Sequence, residues 1–279
     1  MIFNCGKYLL DLSTPKVMGI VNVTPDSFSD GGRYASTNQA VEYALKLVEE
    51  GADILDIGGE STRPNATPVL LDEELSRVIP VIEALSKLSS IPISVDTYKP
   101  QVMQAAILAG VDIVNDVRAL QEGNALAIAA NSKVGICLMH MQGTPQTMQV
   151  DPQYDDVVAE VSLFLQMRLQ ACLEVGISQN RVLLDPGFGF GKRTAHNIAL
   201  LKSLDIIKRL GQPLLVGLSR KSVLGAITGL DVGARLHASI AASVVAAMKG
   251  ANILRVHDVK ATVDALKVVT TVIKVDINA

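Results

Sequence analysis

The side chains able to do chemistry in this 279-residue chain sit where short apolar runs stop. Asn22 follows "MGIV", Gly58-Gly59-Glu60-Ser61-Thr62-Arg63 follows "ILDI", and Asp96 follows "ISV". Further on come Asn115-Asp116, His140, Asp185, Ser219-Arg220-Lys221-Ser222, and Arg255 with His257. The set divides by chemistry. Asp96, Asn115 and Asp185 are acceptors and amides, suited to a flat, nitrogen-rich heterocycle with amino and ring N–H donors. Arg63, Lys221, Arg255 and His257 suit a phosphate or diphosphate, since guanidinium donors pair with phosphate oxygens in a fork. Taken singly, Asp116, Ser222 and Asp258 could do no more than cap a following helix. Taken together, carboxylates and cations at successive run ends describe a site for a heterocycle that carries a charged leaving group.

Eight runs must position these groups: Val17–Val21, Ile54–Ile57, Pro92–Val95, Ile113–Val114, Val134–Met139, Val182–Leu184, Leu214–Gly217 and Ile253–Val256. They alternate with segments of helical period. Val41, Ala44, Leu45 and Val48 form one helical face, with Gly51 placed for a left-handed cap. Leu75, Val78, Ile79 and Ile82 form another, with Asp72 as its expected cap and Pro80 predicting a kink or break. Asp258 is expected to cap a last helix that turns Val259, Val263 and Leu266 inward. Eight βα units predict an α/β fold, a (β/α)8 TIM barrel over residues 1–279 as one domain. A short N-terminal β-hairpin within "IFNCGKYLLDL" would close one end. An open doubly wound sheet is the alternative, weakened by the lack of G-x-G-x-x-G after the first strand.

Composition agrees. Apolar residues make up 49% and aromatics 4%, with no Trp, so the core is Val, Ile, Leu and Ala. That suits strands covered on both faces. The net charge is −3 and no Lys/Arg run stands out, which argues against nucleic acid. No apolar run reaches the roughly 18 residues of a membrane span, and no signal peptide is legible, so the expected compartment is cytoplasmic. Cys5, Cys137 and Cys172 lack metal spacing and are expected as reduced thiols. "DPGFGFGKRT" misses the Walker spacing and reads as a glycine turn that lets a ligand approach, with Phe190 stacking on it. His140 between two methionines reads as packing rather than a metal ligand.

The same residues carry a resemblance. "MGIVNVTPDSFSDGG" (18–32), "DIGGESTRP" (56–64), "SVDT" (94–97), "VND" (114–116), "LLDPGFGFGK" (183–192), "GLSRKS" (217–222) and "RVHD" (255–258) resemble the dihydropteroate synthase family, in its order. The resemblance implies condensation of 6-hydroxymethyl-7,8-dihydropterin pyrophosphate with 4-aminobenzoate, with Mg²⁺ near Asn22 and a homodimer. Asp96, Asn115, Met139, Asp185, Lys221 and Arg255 would hold the pterin, and Asn22, Arg63, Ser222, Arg255 and His257 the pyrophosphate. Phe28, Thr62, Pro64, Phe190, Ser219 and Lys221 would border the aminobenzoate, and sulfonamides should compete there. Asp96, Lys221 and Arg63 would be the catalytic residues.

An aryl amine is a weak nucleophile and no strong base stands out, so a dissociative route is expected, with pyrophosphate leaving first. The segments "TPDSFSDGG" and "GESTRPNATP" then read as lids excluding water. Two other functions fit less well. A pterin-binding methyltransferase would share Asp96, Asn115 and Asp185 but have no use for the cations; a silent pterin-binding paralogue would need no leaving-group contacts.

Overall fold

A computed structural model describes residues 1–24, 32–61, 66–144 and 147–274. Phe28, Thr62, Arg63 and Pro64, and most of the two segments read as lids, lie outside the described residues. Strands β1 (Ile2–Cys5) and β2 (Tyr8–Asp11) form an antiparallel hairpin. Eight parallel strands follow: β3 (Lys16–Asn22), β4 (Ile54–Gly58), β5 (Ile93–Asp96), β6 (Ile113–Asp116), β7 (Gly135–Met139), β8 (Val182–Asp185), β9 (Leu215–Val216) and β10 (Ile253–Val256). Their order is β8-β7-β6-β5-β4-β3-β10-β9, and a bridge from Leu184 to Leu214 brings the two edges together. This is the expected barrel. Helices α1 (Gly32–Glu49), α2 (Leu71–Leu88), α3 (Pro100–Ala109), α4 (Ala125–Ala130), α5 (Val157–Glu174), α6 (Thr194–Lys202), α7 (Leu204–Lys208), α8 (Ser222–Thr228), α9 (Leu236–Met248) and α10 (Val259–Lys274) connect the strands.

The barrel has two cores because strand side chains alternate. Outward residues such as Leu55, Ile57, Val95, Val114 and Leu184 pack beneath the helices. Inward residues at the strand starts, among them Met18, Ile54, Ile113, Leu183 and Ile253, meet Phe3 and Cys5 of the hairpin. Gly135 makes room for that plug: a Cβ there would lie 2.4 Å from the Phe3 ring. The lower half of the barrel is thus sealed by apolar packing, and the polar groups collect at the opposite mouth. All three cysteines are buried free thiols.

The structure corrects several local expectations. Five strands extend past the apolar runs, so Asn22, Gly58, Asp96, Asn115-Asp116 and Asp185 are strand residues, held by the ladder rather than by loops. Helix α2 begins at Leu71, so Asp72 is in its first turn and not its cap. Pro80 does not break α2; it forfeits one backbone bond, while buried Val78, Val81, Ile82 and Leu85 hold both halves against the barrel. Gly51 adopts the expected left-handed conformation, φ +99°. Lys221, not Ser222, is the cap residue of α8. The Asp258 carboxylate turns to Arg220 (2.5 Å), while its backbone carbonyl accepts from the Thr262 N–H.

Candidate active site

Strand register builds the site. Asn22 lies beside Gly58, Gly58 beside Asp96, and Asp96 beside Asn115, so one row of the barrel mouth presents three of the expected residues. Gly58 keeps that row open: a Cβ there would stand 3.7 Å from Asn22 Oδ1 and 3.6 Å from Asp96 Cβ. Across the barrel Met139 pairs in register with Asp185.

Arg255 enters this space from β10. Its Nε donates to Asp56 Oδ2 and its Nη2 to Asp96 Oδ2, each at 2.6 Å. Asn115 Nδ2 also donates to Asp56 Oδ2, at 3.2 Å. Asp56 escaped the sequence reading as a site residue. The signal was present: a carboxylate between Leu55 and Ile57, inside a strand otherwise apolar throughout, needs a partner. Among the described residues, two of Arg255's five N–H donors are held by carboxylates.

The electrostatics follow from burial. Desolvation raises the Asp96 carboxyl to about 7, against the pull of Arg255 and with a further push from Asp56. Asp185 is raised for the same reason, opposed by Lys221 and by the Gly187 N–H, which donates to Asp185 Oδ1 at 2.7 Å. Desolvation lowers Lys221 to about 8, opposed by Asp185. Among the described residues, Asp96 Oδ1 and Asp56 Oδ1 are buried without a hydrogen-bond partner. Orphaned buried acceptors of this kind are costly and suit a ligand that brings N–H groups.

Lys221 stands between the two halves of the site. Its Nζ donates to the Phe188 carbonyl and lies 4.6 Å from the centroid of the Phe190 ring. Gly217 faces it, 3.8 Å from Nζ to a notional Cβ, and that Cβ would be equally close to Arg255 Cβ. Neighbouring Ser219 Oγ is 3.0 Å from His257 Nδ1 and accepts the His257 N–H at 3.2 Å, so these two act as one unit. Between them Arg220 adopts φ +58°, a strained conformation for a side chain of that size, with its N–H donating to Ser239 Oγ. Ser222 opens α8 and is exposed. Asp116 accepts the Arg118 and Leu120 N–H groups and fixes the turn after β6. Asn22, Asp96, Asn115, Met139, Asp185, Phe190, Ser219, Lys221, Arg255 and His257 therefore all stand at the strands' C-terminal ends or in the loops that follow them.

For a divalent cation, Asn22 Oδ1 offers one hard oxygen at the rim of this row. Mg²⁺ keeps several waters and is commonly held by one or two protein oxygens plus substrate phosphates, so this donor fits a metal held mainly by a diphosphate.

A model of pterin binding enzymes matches residues 18–257. The chain is 52% identical to the dihydropteroate synthase of Escherichia coli K12 over 93% of its own length and 92% of that protein's. The Yersinia pestis dihydropteroate synthase, solved with a sulfonamide drug, superposes with a TM-score of 0.94 at 48% identity, covering 99% of this chain and 100% of that one. The Xanthomonas albilineans enzyme, solved with 4-aminobenzoic acid, gives 0.93 at 53% identity, covering 99% of both chains. The same enzyme in complex with 7,8-dihydropteroate gives 0.88 at 47%, again over 99% of both. At this level of identity along nearly its whole length, the chain belongs to the dihydropteroate synthase family of pterin-binding enzymes.

Proposed function

We propose that this chain, as one barrel domain in the cytoplasm, joins 6-hydroxymethyl-7,8-dihydropterin pyrophosphate to 4-aminobenzoate and releases 7,8-dihydropteroate and pyrophosphate. The observation that carries this is the orphaned Asp96 Oδ1 in the same row as Asn115 and within reach of Arg255, in a chain half identical to an enzyme of that name. A pterin ring presents adjacent amino and ring N–H donors, and Asp96, Asn115 and Asp185 supply acceptors for them. Met139 borders the ring. Arg255 closes the pterin side.

The substrate's C–O bond to pyrophosphate breaks with both electrons leaving on oxygen. Asp96 and Asp185 stabilise the resulting pterin methylene cation, because carboxylates in a water-poor barrel act where positive charge develops. Arg255 and His257, with Arg63 and Ser222 expected beside them, take up charge on the departing oxygens. A Mg²⁺ held by Asn22 and the diphosphate would add Lewis-acid neutralisation there. The amine nitrogen of aminobenzoate then forms the C–N bond and its proton is released. Lys221, Ser219 and Phe190 border the amine's side, where Phe28, Thr62 and Pro64 are expected to complete the pocket.

Two finer points belong to this reading. A second copy of the chain covers exposed Ile227 on α8, Val245 and Met248 on α9, and Val268 and Val272 on α10; solution mass would read a dimer. No helix among the described residues is long and apolar enough to cross a membrane. The deciding assay is pyrophosphate release by purified protein given both substrates, with and without Mg²⁺. Release that depends on both substrates supports the assignment, and binding of pterin without release refutes it.

A further inference from the structure

The β8–α6 loop, residues 186–193, carries three glycines in the left-handed region: Gly187 (φ +68°), Gly189 (+81°) and Gly191 (+61°). Such a segment is conformationally loose unless something outside the ladder holds it. Its contacts are tight. A Cβ on Gly187 would fall 1.9 Å from the His140 carbonyl oxygen, and one on Gly191 2.5 Å from the Gln142 carbonyl oxygen. At the centre lies Lys192, whose Nζ donates to the carbonyls of Gly187 and Phe190 and to His140 Nδ1, each at 2.9 Å. The His140 carbonyl is a longer fourth acceptor at 3.3 Å. Lys192 is 3% exposed. Burial holds the His140 imidazole near 3, so the ring is neutral and can accept. Asn197 secures the same loop from α6, accepting the Gly189 N–H at 2.7 Å and donating to the Lys192 carbonyl at 3.1 Å.

The loop's outer face bears the groups nearest Lys221: the Phe188 carbonyl, which accepts from Lys221 Nζ, and the Phe190 ring beneath that ammonium. Carbonyls 187 and 190 therefore belong to the inner lysine, and carbonyl 188 with ring 190 to the outer one. We propose that Lys192 is a positioning residue: its buried amino group ties the β8–α6 loop to the end of β7 and so sets where Phe190 and the Phe188 carbonyl stand against Lys221, on the aminobenzoate side of the site. The assignment of that side rests on the proposed function. The pterin groups do not depend on the clamp to the same degree, because Asp96 and Asn115 are placed by strand pairing.

The test is steady-state pyrophosphate release by Lys192→Met, varying each substrate in turn, with a thermal melt to verify folding. The expected result is a KM for aminobenzoate raised about tenfold or more, while the KM for the pterin pyrophosphate stays within about threefold. His140→Leu removes one of the four acceptors and should shift the aminobenzoate KM in the same direction by less; it carries the test if Lys192→Met does not fold. An unchanged aminobenzoate KM in the folded variant, or equal changes in both KM values, overturns the proposal. Failure of the unaltered chain to release pyrophosphate would instead overturn the assigned reaction.

Discussion

Replacing Arg255 with Met tests the electrostatic centre of the barrel. The guanidinium makes two 2.6 Å charge-assisted bonds, to Asp56 and Asp96, and those carboxylates are 0% and 7% exposed. Removing one partner of a buried ion pair costs about 3–5 kcal/mol because the other charge is left uncompensated. For a domain of this size each kcal/mol is worth about 2–4 °C in Tm, so the expected fall is on the order of 10 °C. A lost methylene contact could lower Tm too, and pH separates the causes. Asp96 ionises near 7 in the folded protein, above its ordinary 3.8, and Arg255 is what pulls it down to that value. Without Arg255 it ionises at a still higher pH. Below about 6 both proteins carry Asp96 protonated, so this group contributes no difference. Above 7 the unaltered protein has lost the proton while the variant retains it, and stability of the variant goes on falling with pH. The deficit should widen by about 1.4 kcal/mol for each such pH unit. Thermal melts of both proteins at pH 6, 7 and 8 measure it. A Tm deficit that is constant across this range would refute the claim that uncompensated carboxylate charge is what Arg255 relieves.

The same groups predict the pH dependence of catalysis. The ratio kcat/KM for the pterin substrate should rise through about 7 as Asp96 ionises and fall above about 8 as Lys221 loses its proton. Lys221→Arg should shift the falling limb to higher pH; a flat profile from 6 to 9 would remove both assignments. Phe3→Ala should cost about 3–5 kcal/mol, since the ring is fully buried, yet leave kcat nearly unchanged because the hairpin seals the end opposite the site; melts paired with turnover measure this. Sulfonamides should compete with aminobenzoate and be relieved by adding more of it, and inhibition insensitive to aminobenzoate would misplace Ser219 and Phe190 in the pocket.

The sequence by itself determined the architecture and most of the mouth. Eight β-branched runs separated by amphipathic segments admit few folds, and a barrel then brings residues 22, 96, 115, 185, 221 and 255 to one face by topology alone. Local signals at that level were reliable where one residue type is demanded, as at Gly51, and less so where packing competes, as at Pro80 in α2. Only the tertiary structure decided who pairs with whom. Asp56 and Arg255 lie 199 positions apart and His140 and Lys192 52 apart, and no periodicity links them. Hydrogen bonding is short-ranged and directional, so which carboxylate takes the guanidinium, and which oxygen is left over for a ligand, is settled only when the barrel has closed and its strands have come into register.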